Sequence, residues 1–293
     1  MHHKVKDYLN VFIVLFMGLA VSIAGSDNGL YFKEYPILII CMLVSFFVHW
    51  ILFIPAFIYR TEKFYDISGT LAYVCVIFTV SFLTWSSSDG VINLRSWLVI
   101  VLVIVWALRL GIFLFIRVLK AGEDRRFREV KQKFSAFLVW WTVSALWVFL
   151  TTVNALVMII NNVEYHNDYF LYIGLFLWIT GFLFEVIADE QKRRFRSNAV
   201  HQEQFISSGL WSISRHPNYF GEILLWIGMS IIAYPTLYGW QYVSLISPVF
   251  IYLLLTKISG VNLLEDYANK KWGGNEDYET YKGNTPVLFP FFK

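Results

Sequence analysis

The run Arg215-His216-Pro217-Asn218-Tyr219-Phe220-Gly221-Glu222 gathers residue types that hold an anion. Pro217 suits the first turn of a helix, where its missing N–H is no loss, and the residues before it then present free backbone N–H groups. A helix start of this kind binds anions, and Arg215 and His216 beside it reinforce that preference for a phosphate. Asn218 and Glu222 lie one turn apart and offer hydrogen bonds to an amide or a ribose. The same residues also serve as plain caps and anchors of a helix start. A second pattern places Glu185, Asp189, Lys192 and Arg196 along one helical stripe, in the order acid, acid, base, base. A helix leaving a membrane with a solvated charged face has the same spacing.

The elements that position these residues are hydrophobic. The chain has 293 residues, 57% of them hydrophobic and 15% charged, which is too apolar for a soluble domain of this size. A membrane helix needs about 20 apolar residues. Stretches of that kind run over 8–24, 36–59, 67–85, 95–118, 134–160, 168–188, 218–235 and 240–258. The expectation is therefore an all-α, polytopic transmembrane bundle of about seven or eight helices, with 1–293 a single integral membrane domain. The first stretch has lysines before it and Ser22-Ile23-Ala24 at its end, which also suits a cleaved signal peptide. A retained helix is preferred because the apolar run is long and the triplet lies within it. Residues 264–293 are polar with a Trp272-Gly273-Gly274 turn, and read as a short amphipathic helix followed by a loop against the membrane surface.

Ionisable groups inside apolar stretches are costly, so each is a functional candidate. They are His49, Arg109, Arg117, Glu185, Asp189, Glu222 and Lys257. For His49 a hydrogen-bonded packing role is the better reading. Cys41 and Cys75 fall in apolar stretches and read as small packed side chains. With eight helices, nineteen Lys and Arg residues fall on the side of the two termini, against only Lys33 and Arg95 on the other. Positive charge is retained in the cytoplasm, so both termini are expected there. All the intramembrane ionisable groups except His49 then lie in the cytoplasmic half, as a pocket opening to that side would have them. The +3 net charge gives no indication of nucleic acid, because topology and anionic lipid account for the basic loops.

Three blocks carry a family resemblance. Arg215 to Glu222 resembles the signature of bacterial membrane proteins classed with the steroid 5-alpha-reductase C-terminal domain. Trp106-Ala107-Leu108-Arg109-Leu110 through Arg117, with Gly122-Glu123-Asp124-Arg125-Arg126-Phe127, resembles a second block of that group. Glu265 to Pro290, with Trp272-Gly273-Gly274, Tyr278, Tyr281, Lys282 and Thr285-Pro286, resembles a third. Together they cover most of residues 65–290. The resemblance implies a membrane reductase that takes NADPH in a cytoplasm-facing cavity and reduces a double bond conjugated to a ketone in a lipophilic, steroid-like or isoprenoid-like molecule. It also implies a bacterial inner membrane.

Carried over by position, Arg117, Glu185, Asp189, Arg196, Asn218, Tyr219 and Glu222 fall where those reductases line the cofactor cavity. The anion-binding helix start adds Arg215 and His216, and the tail block adds Glu265 and Tyr278. Trp106 falls where those reductases place a tyrosine that touches the substrate carbonyl. No metal is implied. The chain departs from the steroid enzymes in two ways. It has no acidic residue in 36–59, where they use a glutamate as carbonyl partner, and tryptophan cannot act as a phenolic acid. Asp66 and Tyr65 are the candidates to substitute. A rival resemblance is to the isoprenylcysteine carboxyl methyltransferases, which take S-adenosylmethionine and share an Arg-His-Pro-x-Tyr-x-Gly helix start and a tail with glutamate and paired tyrosines. A non-catalytic lipid-binding protein is the third reading. Asn218, Gly221-Glu222 and the stripe from Glu185 to Arg196 favour the reductase.

Overall fold

The structure, a computed structural model, describes residues 2–121, 124–164, 169–201, 203–258 and 260–290. Gly122, Glu123 and Lys293, which entered the sequence reading, lie outside the described residues. Among the described residues the chain is all-α apart from one short hairpin. Its helices are α1 (His2–Gly25), α2 (Ile37–Ile58), α3 (Tyr65–Ser87), α4 (Leu94–Ala121), α5 (Phe134–Asn161), α6 (Tyr169–Ser197), α7 (Pro217–Ala233), α8 (Ile246–Leu253), α9 (Val261–Trp272) and α10 (Glu276–Asn284). Strands β1 (Tyr31–Phe32) and β2 (Tyr35–Pro36) pair antiparallel between α1 and α2. Among the described residues, seven helical stretches are long and apolar enough to cross a membrane. Six correspond to α1 to α6, and the seventh is Gly239–Trp272. The eighth expected stretch, 218–235, is the 17-residue α7, at the lower limit for a crossing.

Two details differ from the sequence reading. The stretch 240–258 is not one α-helix: it starts as a 3₁₀ segment (Gly239–Leu245), continues as α8 and ends in a π segment (Leu254–Ile258). The polar tail holds two helices, α9 and α10, because Gly274 adopts a left-handed φ of 82° that stops the first. Asn275 then caps the second by accepting from the Tyr278 amide at 3.0 Å.

The chain divides into two compact units, residues 1–167 with 233–247, and 168–232 with 248–293. In the first unit α5 is the central element, with α1, α2, α3 and α4 packed on it. Its sequence permits this, because it is apolar around its whole circumference and its polar side chains are short. Those side chains tie helices together where lipid offers no alternative partner. Ser45 donates to the Ala145 carbonyl (2.8 Å), Trp50 to Thr142 Oγ1 (3.1 Å), and Ser247 to the Thr151 carbonyl (2.6 Å).

In the second unit α6 and α7 meet at backbone distance. A Cβ at Gly181 would lie 2.5 Å from the Gly221 carbonyl oxygen, and one at Gly174 would lie 2.6 Å from that of Gly228. Two glycines seven residues apart on each helix thus remove the side chains from the crossing, as small residues do between membrane helices.

Candidate functional site

Each unit contains a cavity, and the residues singled out by sequence divide between them. In the first unit, Tyr65 and Asp66 open α3, so the Asp66 carboxyl sits in the first helical turn, where the helix dipole favours an acid. Trp106 comes from the middle of α4 and is 1% exposed, its ring packed edge-on against Tyr73 at 5.2 Å. Tyr65, Asp66 and Trp106 line one cavity of about 490 Å³ including its open mouth, with Thr70, Tyr73, Ser144, Trp147 and apolar residues of α4 and α5. The three candidates for contact with a substrate carbonyl thus meet although α3 and α4 are separate elements. The Tyr65 hydroxyl donates to the Trp140 carbonyl (2.9 Å), so its proton is committed within the protein.

The loop below this cavity is held by ions. Glu62 is 4% exposed; it pairs with Lys131 Nζ at 2.6 Å and accepts from the Asp124 amide at 3.0 Å. Burial pushes the Asp124 carboxyl up, but hydrogen bonds from Arg126 and the charges of Arg126 and Arg117 outweigh it and hold the group below its ordinary value. Arg117 therefore belongs to the first unit, on α4 beside this loop, and does not join the cationic cavity described next.

That cavity, in the second unit, encloses about 630 Å³ including its open mouth. Lys192, Phe195 and Arg196 reach it from one face of α6, realising the basic half of the stripe. Arg215 and His216 come from the turn before α7, Glu265 and Trp272 from α9, and Tyr278 and Tyr281 from α10. The turn is anchored by the chain end: the Arg215 amide donates to the Pro286 carbonyl (2.9 Å) and Ser214 Oγ to that of Leu288 (2.8 Å). Tyr281 Oη donates to the Trp211 carbonyl at 2.6 Å. This is why the tail block and the Arg-His-Pro block act together.

Glu265 is the hub. Its Oε1 lies 2.8 Å from His216 Nε2 and its Oε2 lies 2.8 Å from Arg215 Nη1. The carboxylate can only accept, so His216 Nε2 carries the proton and Nδ1 is an acceptor. Burial pushes the His216 imidazole below the ordinary histidine range, and the Glu265 hydrogen bond and charge only partly counter it. His216 Nδ1 and Arg215 Nε are buried with no hydrogen-bond partner, and Arg215 Nη1, though ion-paired, lacks an aligned acceptor. Lys192 Nζ stands 4.2 Å over the Trp211 ring. Burial likewise raises the Tyr281 and Tyr278 hydroxyls, leaving both as neutral donors.

The remaining candidates are not among the residues that line this cavity; they gather at the α6–α7 glycine crossing. Asn218 donates to Asp189 Oδ1 at 3.2 Å, and Glu185, Asp189 and Glu222 are all buried, at 2%, 6% and 6% exposure. Asn218 thus uses its amide on the acidic half of the stripe. Tyr219 stacks on the His216 ring, with centroids 5.6 Å apart. Sequence reasoning singled out Arg196, Arg215, His216, Glu265 and Tyr278, all of which line the cavity. It passed over Phe205, whose ring packs against Trp272, Tyr278 and Tyr281. No signal in the 198–208 segment marks that residue. Among the described residues no cluster of His, Cys, Asp and Glu has the makings of a metal site.

The arrangement can hold an anionic ligand with flat rings: cations and unpaired donors for the charge, aromatic faces for the rings. The sequence profile of one protein family, described as "Protein of unknown function (DUF1295)", matches residues 52–285, a span that takes in both cavities. No curated protein and no solved structure matches the chain.

Proposed function

The chain belongs to this family of unknown function, and from its two cavities we propose that it is a membrane-embedded, NADPH-dependent reductase of a conjugated double bond in a lipophilic enone. The observation that carries the reading is the cationic, aromatic cavity of the second unit, in which Arg215 Nε and Arg215 Nη1 are buried without aligned acceptors. Buried donors left unpaired are costly, and phosphate oxygens are the acceptors that fit guanidinium groups best. Lys192 and Arg196 add two further cations for a ligand with several phosphates. The aromatic residues Phe195, Phe205, Trp211 and Trp272 offer faces to its rings. S-adenosylmethionine carries a sulfonium cation and no phosphate, so a cavity wall that holds Lys192, Arg196 and Arg215 supports the dinucleotide.

NADPH, when bound, supplies a hydride. The residues of the first unit do the rest of the work. The apolar lining of its cavity, with Tyr73 and Trp106, takes a lipophilic body and excludes water. Asp66, at the start of α3, is the group we assign to donate a proton toward the developing enolate oxygen. The Tyr65 hydroxyl donates its hydrogen bond to the Trp140 carbonyl and meets the cavity as an acceptor, so it orients and does not protonate. The reading places the protein in a bacterial inner membrane with the cationic cavity and the chain end facing the cytoplasm, and membrane lipid around it.

The test is isotopic. Purified protein is incubated with deuteride-labelled NADPH and either progesterone or farnesal, and the products are analysed by mass spectrometry. Deuterium at the carbon β to the carbonyl, with Asp66→Asn slowing its appearance, is the expected outcome. Unlabelled enone throughout, from protein stabilised by S-adenosylmethionine, would overturn the reading.

A further inference from the structure

Ser144 and Trp147 stand one turn apart on α5, and both line the cavity of the first unit. What they offer a ligand is decided by a residue on another helix. His49 of α2 is fully buried, with Nδ1 2.8 Å from the Ser45 carbonyl oxygen and Nε2 3.1 Å from Ser144 Oγ. A carbonyl oxygen only accepts, so Nδ1 holds the proton of the neutral ring and Nε2 is left as an acceptor. Ser144 must then donate its hydroxyl proton to His49, and its oxygen, within hydrogen-bond reach of the Tyr65 hydroxyl, meets the cavity as an acceptor. The Trp147 indole N–H, on the same face of α5, is buried with no acceptor.

One acceptor oxygen and one orphaned N–H, side by side in an apolar cavity, make a specific demand. A hydroxyl group meets both, donating to Ser144 Oγ and accepting from Trp147 Nε1. An ether or ketone oxygen meets only the indole and forgoes the bond to Ser144. Buried polar groups without partners carry a free-energy penalty, so the site discriminates between these oxygens. We propose that Ser144 and Trp147 form a hydroxyl-recognition subsite, set by His49, that selects a lipophilic alcohol group on the molecule occupying this cavity. The inference rests on the reading of this cavity as the substrate site, but it does not require reduction. His49 is a positioning residue, acting only through Ser144.

The test uses full-length protein in nanodiscs of fixed lipid composition, with farnesol, farnesyl methyl ether and farnesene as probes, bound in the absence of NADPH. Wild type is expected to bind farnesol roughly five- to tenfold more tightly than the ether, the effect of about one hydrogen bond. Ser144→Ala removes that preference while farnesene binding stays unchanged. In His49→Phe the freed Ser144 proton can be donated to an ether oxygen, so the ether gains affinity and the preference narrows; a purely structural role for His49 would weaken all three probes alike. Trp147→Phe, which keeps the packing, weakens farnesol and ether together relative to farnesene. Equal wild-type affinity for alcohol and ether overturns the proposal, as does an undiminished preference in Ser144→Ala. The isotopic assay stands apart: farnesol selectivity without deuteride transfer would sink the reductase and leave the subsite, and the reverse result would do the opposite.

Discussion

The cavity of the first unit is walled by Tyr73, Trp106, Leu110 and Val148, with its few polar groups at Tyr65, Asp66, Thr70 and Ser144. That of the second unit is walled by Lys192, Arg196, Arg215, His216 and Glu265 among seven aromatic rings. The first uses its hydroxyl protons internally, Tyr65 on Trp140 and Ser144 on His49, and leaves the Trp147 indole N–H open. The second keeps charged donors in reserve at Arg215 Nε and Nη1. An apolar cavity can discriminate only through such placed polar atoms, whereas a cationic one already has the field that attracts an anion. The difference teaches that the two cavities suit different chemistries, one lipophilic and one anionic, and under the proposed reading each can be disturbed without the other.

The largest expected effect comes from Glu265→Ala. Removing one partner of a buried ionic cluster leaves the others uncompensated, at a cost of about 3–5 kcal/mol. Thermal unfolding should fall steeply and NADPH binding should be lost, while farnesol binding, measured at a temperature where the variant is folded, is retained. Loss of farnesol selectivity in that variant would break the separation between the cavities. Gly221→Val is expected to follow. Its side chain would meet the Gly181 carbonyl oxygen and the Glu185 amide at 2.5 and 2.6 Å, an overpacking that costs about 1–3 kcal/mol. Melting curves of Gly221→Ala and Gly221→Val should fall in order of side-chain size; equal curves would show that the crossing is not close.

Asn218→Ala is smaller again. It removes the donor to Asp189 and leaves that carboxylate short of one bond, worth about 1–2 kcal/mol, and should weaken NADPH about tenfold with the fold intact. Unaltered affinity would remove Asn218 from the cofactor site.

The smallest effect is that of pH through His216. Its folded-state proton affinity is lowered, so the unfolded chain takes up a proton first as the solution is acidified. The stability held by neutral His216 is present above the ordinary histidine value of 6.5 and is lost as pH falls below it. Melting temperature should therefore drop more on acidification below 6.5 in wild type than in His216→Gln. An identical pH profile in the two would show that His216 does not titrate differently on folding.

Much of this was legible in the sequence, and for definable reasons. Apolar length reveals α1 to α6, and Pro217 marks the start of α7, because both signals are local. The grouping of Arg215 with Glu265 was suggested by two blocks of residue types, and the fold realises it through chain-end contacts at Pro286 and Leu288. The pairing of His49 with Ser144 joins positions 95 residues apart on two apolar helices, and no periodicity encodes such a pair. The same holds for Phe205, whose place in the aromatic wall depends on three rings far along the chain. Arg117, carried over by position to the cofactor cavity, lies on α4 of the first unit, where its charge acts on Asp124 of a loop whose fold the local sequence does not announce.

The most direct test of the account is a thermal-shift titration of the full-length protein with NADPH and, separately, with S-adenosylmethionine, repeated on Arg215→Ala. A ligand that binds the folded state raises its apparent stability. The account predicts a rise with NADPH that shrinks as salt is added and vanishes in Arg215→Ala, and no rise with S-adenosylmethionine. Stabilisation by S-adenosylmethionine and not by NADPH would contradict it.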